Sequence, residues 1–192
     1  MDVWKIKAKI YDLVRKNIIL KYILNKENHG ILNLFFLIDQ DNSSFKFCEI
    51  GCGTGNINTL LGIQKFYLQV DSSLEMLKNN HRKDYLLNGD CLKLPLKEKL
   101  FDVTICVGLM EYIKNLTDFF GSVSYITKCG GYIIVTSSPL NIFNLSRNLT
   151  GNKIFFHTND NIIKIAKTHE LELISLTKPI FSQVQFLFKR KG

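Results

Sequence analysis

Apolar and polar positions along this chain alternate between two rhythms. Mainly apolar runs at residues 45–50, 66–70, 101–107 and 132–137, with a shorter one at 84–87, read as strands buried on both faces. Between them, apolar residues recur every three or four positions and predict helices over 56–61, 72–80, 116–128 and 159–168. Two more strands are expected at 171–177 and 183–189, and a helical insert at 141–149. Upstream, Val3, Ile6, Ile10, Leu13, Val14 and Asn17 share one face of a helix predicted over 3–24. A break at 25–30 and a second apolar segment to Ile38 follow, then a polar loop at 39–44. Gly130 and Gly131 predict the stop of the 116–128 helix, and Thr158 or Asn159 the N-cap of the 159–168 helix.

Strands alternating with helices call for a parallel sheet covered on both faces, a doubly wound α/β architecture. The final two strands are joined by a short link containing Pro179, whereas a parallel crossover needs about a dozen residues or more. The last strand is therefore expected to run antiparallel. A chain of 192 residues suits one domain with a sizeable core. Its expected parts are an N-terminal helical lid over 1–40 and a core over 45–192 that carries an insert at 139–157.

Composition narrows the class. With 46% apolar and 22% charged residues, the chain reads as soluble and globular. No apolar run approaches the roughly 18 residues of a membrane span, and the lysine-dotted N-terminus lacks the apolar block of a secretory signal. Five cysteines without a CxxC pair argue against a disulfide framework or a zinc site, and for a reducing cytoplasm. The net charge of +8 comes from lysines scattered among abundant Asn and Ile, which reads as compositional bias ahead of a nucleic-acid patch.

The chemistry concentrates in Glu49-Ile50-Gly51-Cys52-Gly53-Thr54-Gly55-Asn56, directly after a strand and opening a helix. Glycines let backbone turn sharply and approach a ligand without Cβ interference, and a helix N-terminus offers free N–H groups. Asp71 ends the next strand, 22 residues after Glu49, where a carboxylate can accept both ribose hydroxyls of an adenosine, or cap the helix that follows. The spacing is GxGxG, and Asn56 stands where a dinucleotide fingerprint would place its third glycine, which disfavours NAD.

With four blocks in order, CEIGCGTGN (48–56), LQVDSSLEML (68–77), NGDCLKLPLKEKLFDV (88–103) and ICVGLMEYI (105–113), the sequence resembles the class I S-adenosylmethionine-dependent methyltransferases over about residues 45–189. That resemblance implies a Rossmann-like seven-stranded sheet of order 3-2-1-4-5-7-6 with strand 7 antiparallel. It implies S-adenosylmethionine as cofactor, S-adenosylhomocysteine as product, and no metal. By the same resemblance Glu49, Gly51, Cys52, Gly53, Gly55 and Asn56 form the cradle for the methionine part, and Asp71 with Ser72 holds the ribose. Asp90 would bond the adenine amino group, with Cys91 and Leu92 around the ring and Met76 on its other side. Val107 and Gly108 would lie where the methyl group is presented.

Glu111 stands in that last loop at a position where many relatives carry His. A carboxylate there could deprotonate an acceptor, or simply start the following helix. Methyl transfer asks little beyond positioning, because the sulfonium is already activated. Tyr11, Tyr22, Arg147 and His157 are the candidate acceptor contacts, on the N-terminal helix and around the insert. The reading is methyl transfer to a small molecule at O, N or C. RNA or protein methylation on the same core comes second, and a cofactor-binding subunit without activity third.

Overall fold

The computed structural model describes residues 17–38, 44–62, 66–83, 85–147 and 153–192. One seven-stranded sheet holds β1 (Phe47–Ile50), β2 (Tyr67–Asp71), β3 (Leu86–Asn88), β4 (Phe101–Cys106), β5 (Thr127–Ser137), β6 (Leu171–Ile180) and β7 (Gln183–Arg190). The order is β3-β2-β1-β4-β5-β7-β6. Neighbours among β1 to β5 pair in parallel, and β7 runs antiparallel to both β5 and β6. This is the expected α/β strand order, with the expected antiparallel direction of the last strand.

Alternating side chains of the central strands feed two cores. Cys48, Ile50, Cys106, Ile133, Val135, Phe186 and Phe188 face α4 (Leu116–Ile126) and α6 (Asn159–Thr168). Phe47, Val103, Ile105, Ile134 and Leu187 face α1 (Ile18–Phe36) and α2 (Asn56–Leu61). Both faces are covered, so the strands need continuous apolar runs. In α4 the residues Leu116, Phe119, Phe120, Val123 and Ile126 repeat at helical spacing and are all buried. Asn115 caps that helix by accepting from the Thr117 and Asp118 amides. The remaining helices are α3 (Leu74–Lys78) and α5 (Ile142–Ser146), with a 3₁₀ turn at Met110–Tyr112.

Four punctuation residues act differently from expectation. No break occurs at residues 25–30, because α1 runs through them. Gly30 is there for close packing: a Cβ at this position would lie 2.2 Å from Gln185 Oε1 and 3.0 Å from Pro179 Cγ. Gly130 and Gly131 do not end α4, which already gives way to β5 at Thr127. They sit in an irregular stretch of that strand, where the pairing jumps from Phe101↔Thr127 to Val103↔Tyr132. Gly130 has φ +77, and a Cβ on Gly131 would come within 2.9 Å of the Asp102 carbonyl oxygen. Pro179 belongs to β6 rather than to the link, at a register shift between Thr177 and Ile180. β6 is an edge strand, where a missing N–H is tolerated. The first part of the predicted 3–24 helix, up to residue 16, lies outside the described residues.

The role of Gly30 gives a test of sign. A glycine merely tolerated in a helix is improved by alanine, by about 1 kcal/mol. Here Gln185 is fully buried and donates to the Glu27 carbonyl and the Gln183 side chain, so it has little room to yield. Gly30→Ala should therefore destabilise the fold by about 1–3 kcal/mol, as overpacking does. Chemical denaturation checks this, and a rise in the unfolding midpoint would return Gly30 to the role of a weak helix residue.

Candidate active site

The sheet order reverses on either side of β1, which pairs with β2 on one edge and β4 on the other. α2, which follows β1, packs on one face of the sheet through Ile57; α4, which follows β4, packs on the other through Phe119 and Phe120. Departing to opposite faces, they leave a crevice beyond the carboxyl ends of these strands, the usual ligand position in an open α/β sheet.

The turn from β1 into α2 is hooked to the end of β2. Gly51 and Cys52 N–H groups both donate to the Val70 carbonyl, at 2.8 and 3.1 Å. Gly51, Gly53 and Gly55 all have positive φ, at 73°, 54° and 82°. Their reasons for being glycine differ. A Cβ on Gly51 would press on Leu109 at 3.1 Å, and one on Gly55 would reach Asn80 Oδ1 at 2.4 Å. At Gly53, and at Gly108 in the loop after β4 (φ +68), an added Cβ would meet nothing within 4 Å. These two glycines face open space from neighbouring strands, a cradle that side chains would fill. That opening suits the methionine part of an S-adenosyl ligand, which needs close backbone approach.

Asp71 ties the cradle together. Oδ2 accepts from the Gly53 N–H and Oδ1 from the Ser73 N–H, both at 2.8 Å. Burial raises the pKa of this carboxyl, and the two amide hydrogen bonds work against that shift. Each oxygen keeps a further lone pair for a ribose hydroxyl. Asn88 donates its amide to the Asp71 and Ser72 carbonyls, and the Gly89 N–H also reaches the Asp71 carbonyl. The segment carrying Asp90 is thereby brought beside β2. Asp90 is exposed and Oδ1 accepts from the Leu92 N–H at 2.9 Å, while Cys91 and Leu92 are half-buried. Met76 is buried in α3. The loop after β4 is fixed by the Gly108 N–H, which donates to Thr136 Oγ1 at 2.8 Å.

Glu49 lies beneath the turn rather than at its open side. Its carboxyl is buried and accepts from the Tyr67 hydroxyl at 3.0 Å. Loss of solvent pushes its pKa up to about 8; the Tyr67 hydrogen bond opposes this and nearby Asp71 adds to it. Burial likewise raises the Cys48 and Cys52 thiols far above their ordinary range and the Cys91 thiol to about 12, so these are not thiolates at neutral pH.

On the acceptor side, Glu111 is buried in the 3₁₀ turn and bound to the insert at two points. Arg147 Nη2 donates to Glu111 Oε1 at 2.9 Å, and the Phe155 N–H donates to the Glu111 carbonyl at 2.7 Å. Ser138 Oγ also donates to Oε1 at 3.3 Å, and Arg147 reaches Ser138 and Tyr112 as well. Glu111 Oε2 is buried without a hydrogen-bond partner. Burial lowers the Arg147 pKa, but attraction to Glu111 and Tyr112 outweighs it, and the guanidinium stays charged. His157 Nε2 lies 2.8 Å from the Ile113 carbonyl oxygen, at the other end of the same turn. Glu111, Arg147 and His157 are thus brought together around residues 111–113. Tyr22 stands apart and exposed on α1, beneath the Lys26 ammonium at 5.7 Å. Tyr11 lies outside the described residues.

Several polar groups in this arrangement escaped sequence reading. Asn80 donates to Gln69 Oε1 at 3.1 Å and to the Gly53 carbonyl at 3.5 Å, and the His81 N–H holds the Thr54 carbonyl at 2.9 Å. Gln69 is fully buried within an otherwise apolar strand, and such an interruption was the one available signal.

Residues 48–135 match the family described as a methyltransferase domain. An uncharacterised protein of Methanocaldococcus jannaschii is 25% identical over 178 residues, covering 80% of this chain and 77% of that one. The ubiquinone biosynthesis O-methyltransferase of Rickettsia conorii is 26% identical over 111 residues, 54% of this chain, and the match spans 38% of that relative's length. Among solved structures, a possible histamine N-methyltransferase of Thermotoga maritima superposes with a TM-score of 0.77 at 18% identity, covering 98% of this chain and 100% of that one. Magnesium protoporphyrin IX methyltransferase of Synechocystis PCC 6803, with bound S-adenosylhomocysteine, reaches 0.75 at 16% identity, with 99% and 100% covered. At such identities the structural likeness is one of fold.

Glu49 yields a pH test. Its folded pKa of about 8 exceeds the ordinary 4.5, so the folded state keeps a proton that the unfolded state gives up. The stability it contributes is complete below about pH 4.5 and is lost as pH rises toward 8. Glu49→Gln keeps an acceptor for Tyr67 and does not titrate. Relative to the parent, this variant should gain about 2–4 kcal/mol of unfolding free energy between pH 5 and pH 9. Parallel urea-unfolding curves across that range would mean that Glu49 is ionised in the fold.

Proposed function

We propose that this chain, whose residues 48–135 match the methyltransferase-domain family, is a class I S-adenosylmethionine-dependent methyltransferase that methylates a small molecule at oxygen, nitrogen or carbon. The observation that carries this reading is the pair of open positive-φ glycines, Gly53 after β1 and Gly108 after β4, with Gly53 bonded to the Asp71 carboxylate. When bound, S-adenosylmethionine supplies a methyl group on a sulfonium, an activated leaving group.

In this reading the backbone of Gly51, Gly53, Gly55 and Asn56 holds the methionine part, with Glu49 and Cys52 supporting the turn from below. Asp71 and Ser72 take the ribose hydroxyls. Asp90, Cys91, Leu92 and Met76 surround the adenine, and Val107 and Gly108 border the methyl position. The acceptor enters under the insert near Glu111, Arg147 and His157, with Tyr22 at the periphery. Glu111 acts by position. Its carboxylate is paired with the Arg147 guanidinium and fastens the insert over the site, so that the charge-assisted hydrogen bond between them sets the shape offered to the acceptor. A short insert and a compact polar node suit a small acceptor.

Calorimetry with S-adenosylhomocysteine tests the cofactor half. The parent should bind it and ignore NAD. Gly53→Ala should weaken binding at least tenfold, by roughly 1.4 kcal/mol or more, because its Cβ enters the cradle. The fold should lose only about 1–2 kcal/mol for the left-handed backbone. Equal affinity in the two proteins would place the ligand elsewhere. Labelled S-adenosylmethionine turned over against a metabolite extract then identifies the acceptor. With that acceptor, Glu111→Gln should raise its KM about tenfold or more and leave the affinity for S-adenosylhomocysteine within about twofold, since one charge-assisted hydrogen bond contributes roughly 1.5–3 kcal/mol. A turnover loss of about 10²–10⁴ that shrinks with rising pH would instead make Glu111 a general base.

A further inference from the structure

We infer that the face formed by α5, the β6–β7 turn and the amino-terminal half of α1 docks on an anionic lipid surface. The three segments are fastened to one another by hydrogen bonds from polar side chains. Asn144 donates to the Pro139 and Ser182 carbonyls at 2.8 and 3.0 Å, and Asn141 donates to the Phe181 carbonyl at 2.8 Å. Ser182 Oγ donates in turn to Glu27 Oε1 of α1 at 2.6 Å, and the Phe143 and Phe181 rings meet edge-on at 5.3 Å. With the polar side chains directed inward, the apolar ones are left facing water. Ile142 is 87% exposed, Leu140 68% and Phe181 55%; on α1, beyond Glu27, Ile18 is 85% and Ile19 70% exposed. A cavity of about 290 Å³ opens between Pro139, Ile180, Phe181 and Val184, with Lys178 among its walls.

Charge decides the occupant. Within residues 17–27, 139–147 and 177–183 the exposed charges are Lys21, Lys26 and Lys178; Arg147 is paired with Glu111, and the one carboxylate, Glu27, is half-buried and accepts from Ser182 Oγ. The cores of protein–protein interfaces are depleted of lysine and enriched in Tyr, Trp and Arg. Exposed aliphatic side chains among lysines are instead the composition of interfacial, membrane-surface elements. No described helix is long and apolar enough to cross a membrane, so the contact is peripheral. The face adjoins the acceptor side of the site, because the same insert carries Arg147 to Glu111. The inference does not depend on the identity of the acceptor.

Flotation of the full chain with vesicles tests it. The parent should float with vesicles of phosphatidylcholine and phosphatidylglycerol at about three to one, and much less with phosphatidylcholine alone or in high salt. Ile142→Glu and Leu140→Glu alter exposed side chains and should leave the melting temperature unchanged while reducing the bound fraction about tenfold. Lys178→Ala should reduce binding to the anionic vesicles about fivefold. The inference is overturned if the parent floats with neither vesicle, or if both glutamate variants float as the parent does. A dimer dissociated by Ile142→Glu, with no flotation, would assign the face to a second copy of the chain and overturn it equally.

Discussion

The chain must turn from β1 into α2 within five residues while held against the neighbouring strand, and the site is organised around that constraint. Val70 offers its carbonyl to two successive amides of the turn, and Asp71, the next residue, takes the Gly53 amide and the start of α3. One strand end thereby sets the turn, the departure of α2 and the start of α3. In the proposed reading, the carboxylate that takes the ribose is also a strut of the fold. A ribose bound there would add partners to a carboxylate that the backbone has already oriented, which limits the reorganisation needed on binding.

Much of the architecture was readable because the strong periodic signals are local. The apolar runs at 101–107 and 132–137 and the helical spacing of Leu116, Phe119, Phe120 and Val123 do not depend on partners. The antiparallel last strand followed from the length of a link. Gly30, Gly130, Gly131 and Pro179 were misread for one physical reason. A glycine that ends a helix and one that lets another segment approach look alike in sequence, and only the neighbours at Gln185 or Asp102 tell them apart. Proline in an edge strand is likewise indistinguishable from proline in a turn until the sheet order is known.

The candidate site divides along the same line. The cradle is built from a contiguous stretch and from residues at strand ends, positions that spacing alone indicates. The node at Glu111 joins residues 27 and 36 positions apart, at Ser138 and Arg147, through one carboxylate oxygen. No periodicity foretells such a pairing. Its energetics are exacting: a carboxylate almost removed from water needs the guanidinium opposite it, and removing either partner leaves the other poorly solvated. Gln69 and Asn80 form a smaller network of the same kind beneath the turn, legible only as polar interruptions of apolar stretches.

The place of β7 has a consequence for how the fold is reached. It follows every other described strand in sequence, yet it lies between β5 and β6, with Phe186, Leu187 and Phe188 fully buried. Until residues 183–190 are in place, β5 presents an unpaired edge of apolar strand, and β6 has no neighbour to hold it. Sheet completion is therefore a closing step that brings together residues 47 to 57 positions apart, from the pair Ser137 and Val184 to the pair Tyr132 and Lys189. A nascent chain that pauses before this step shows a sticky edge to its surroundings. Co-translational folding of this architecture is in that sense deferred, with its last segment acting as the wedge that makes the sheet whole.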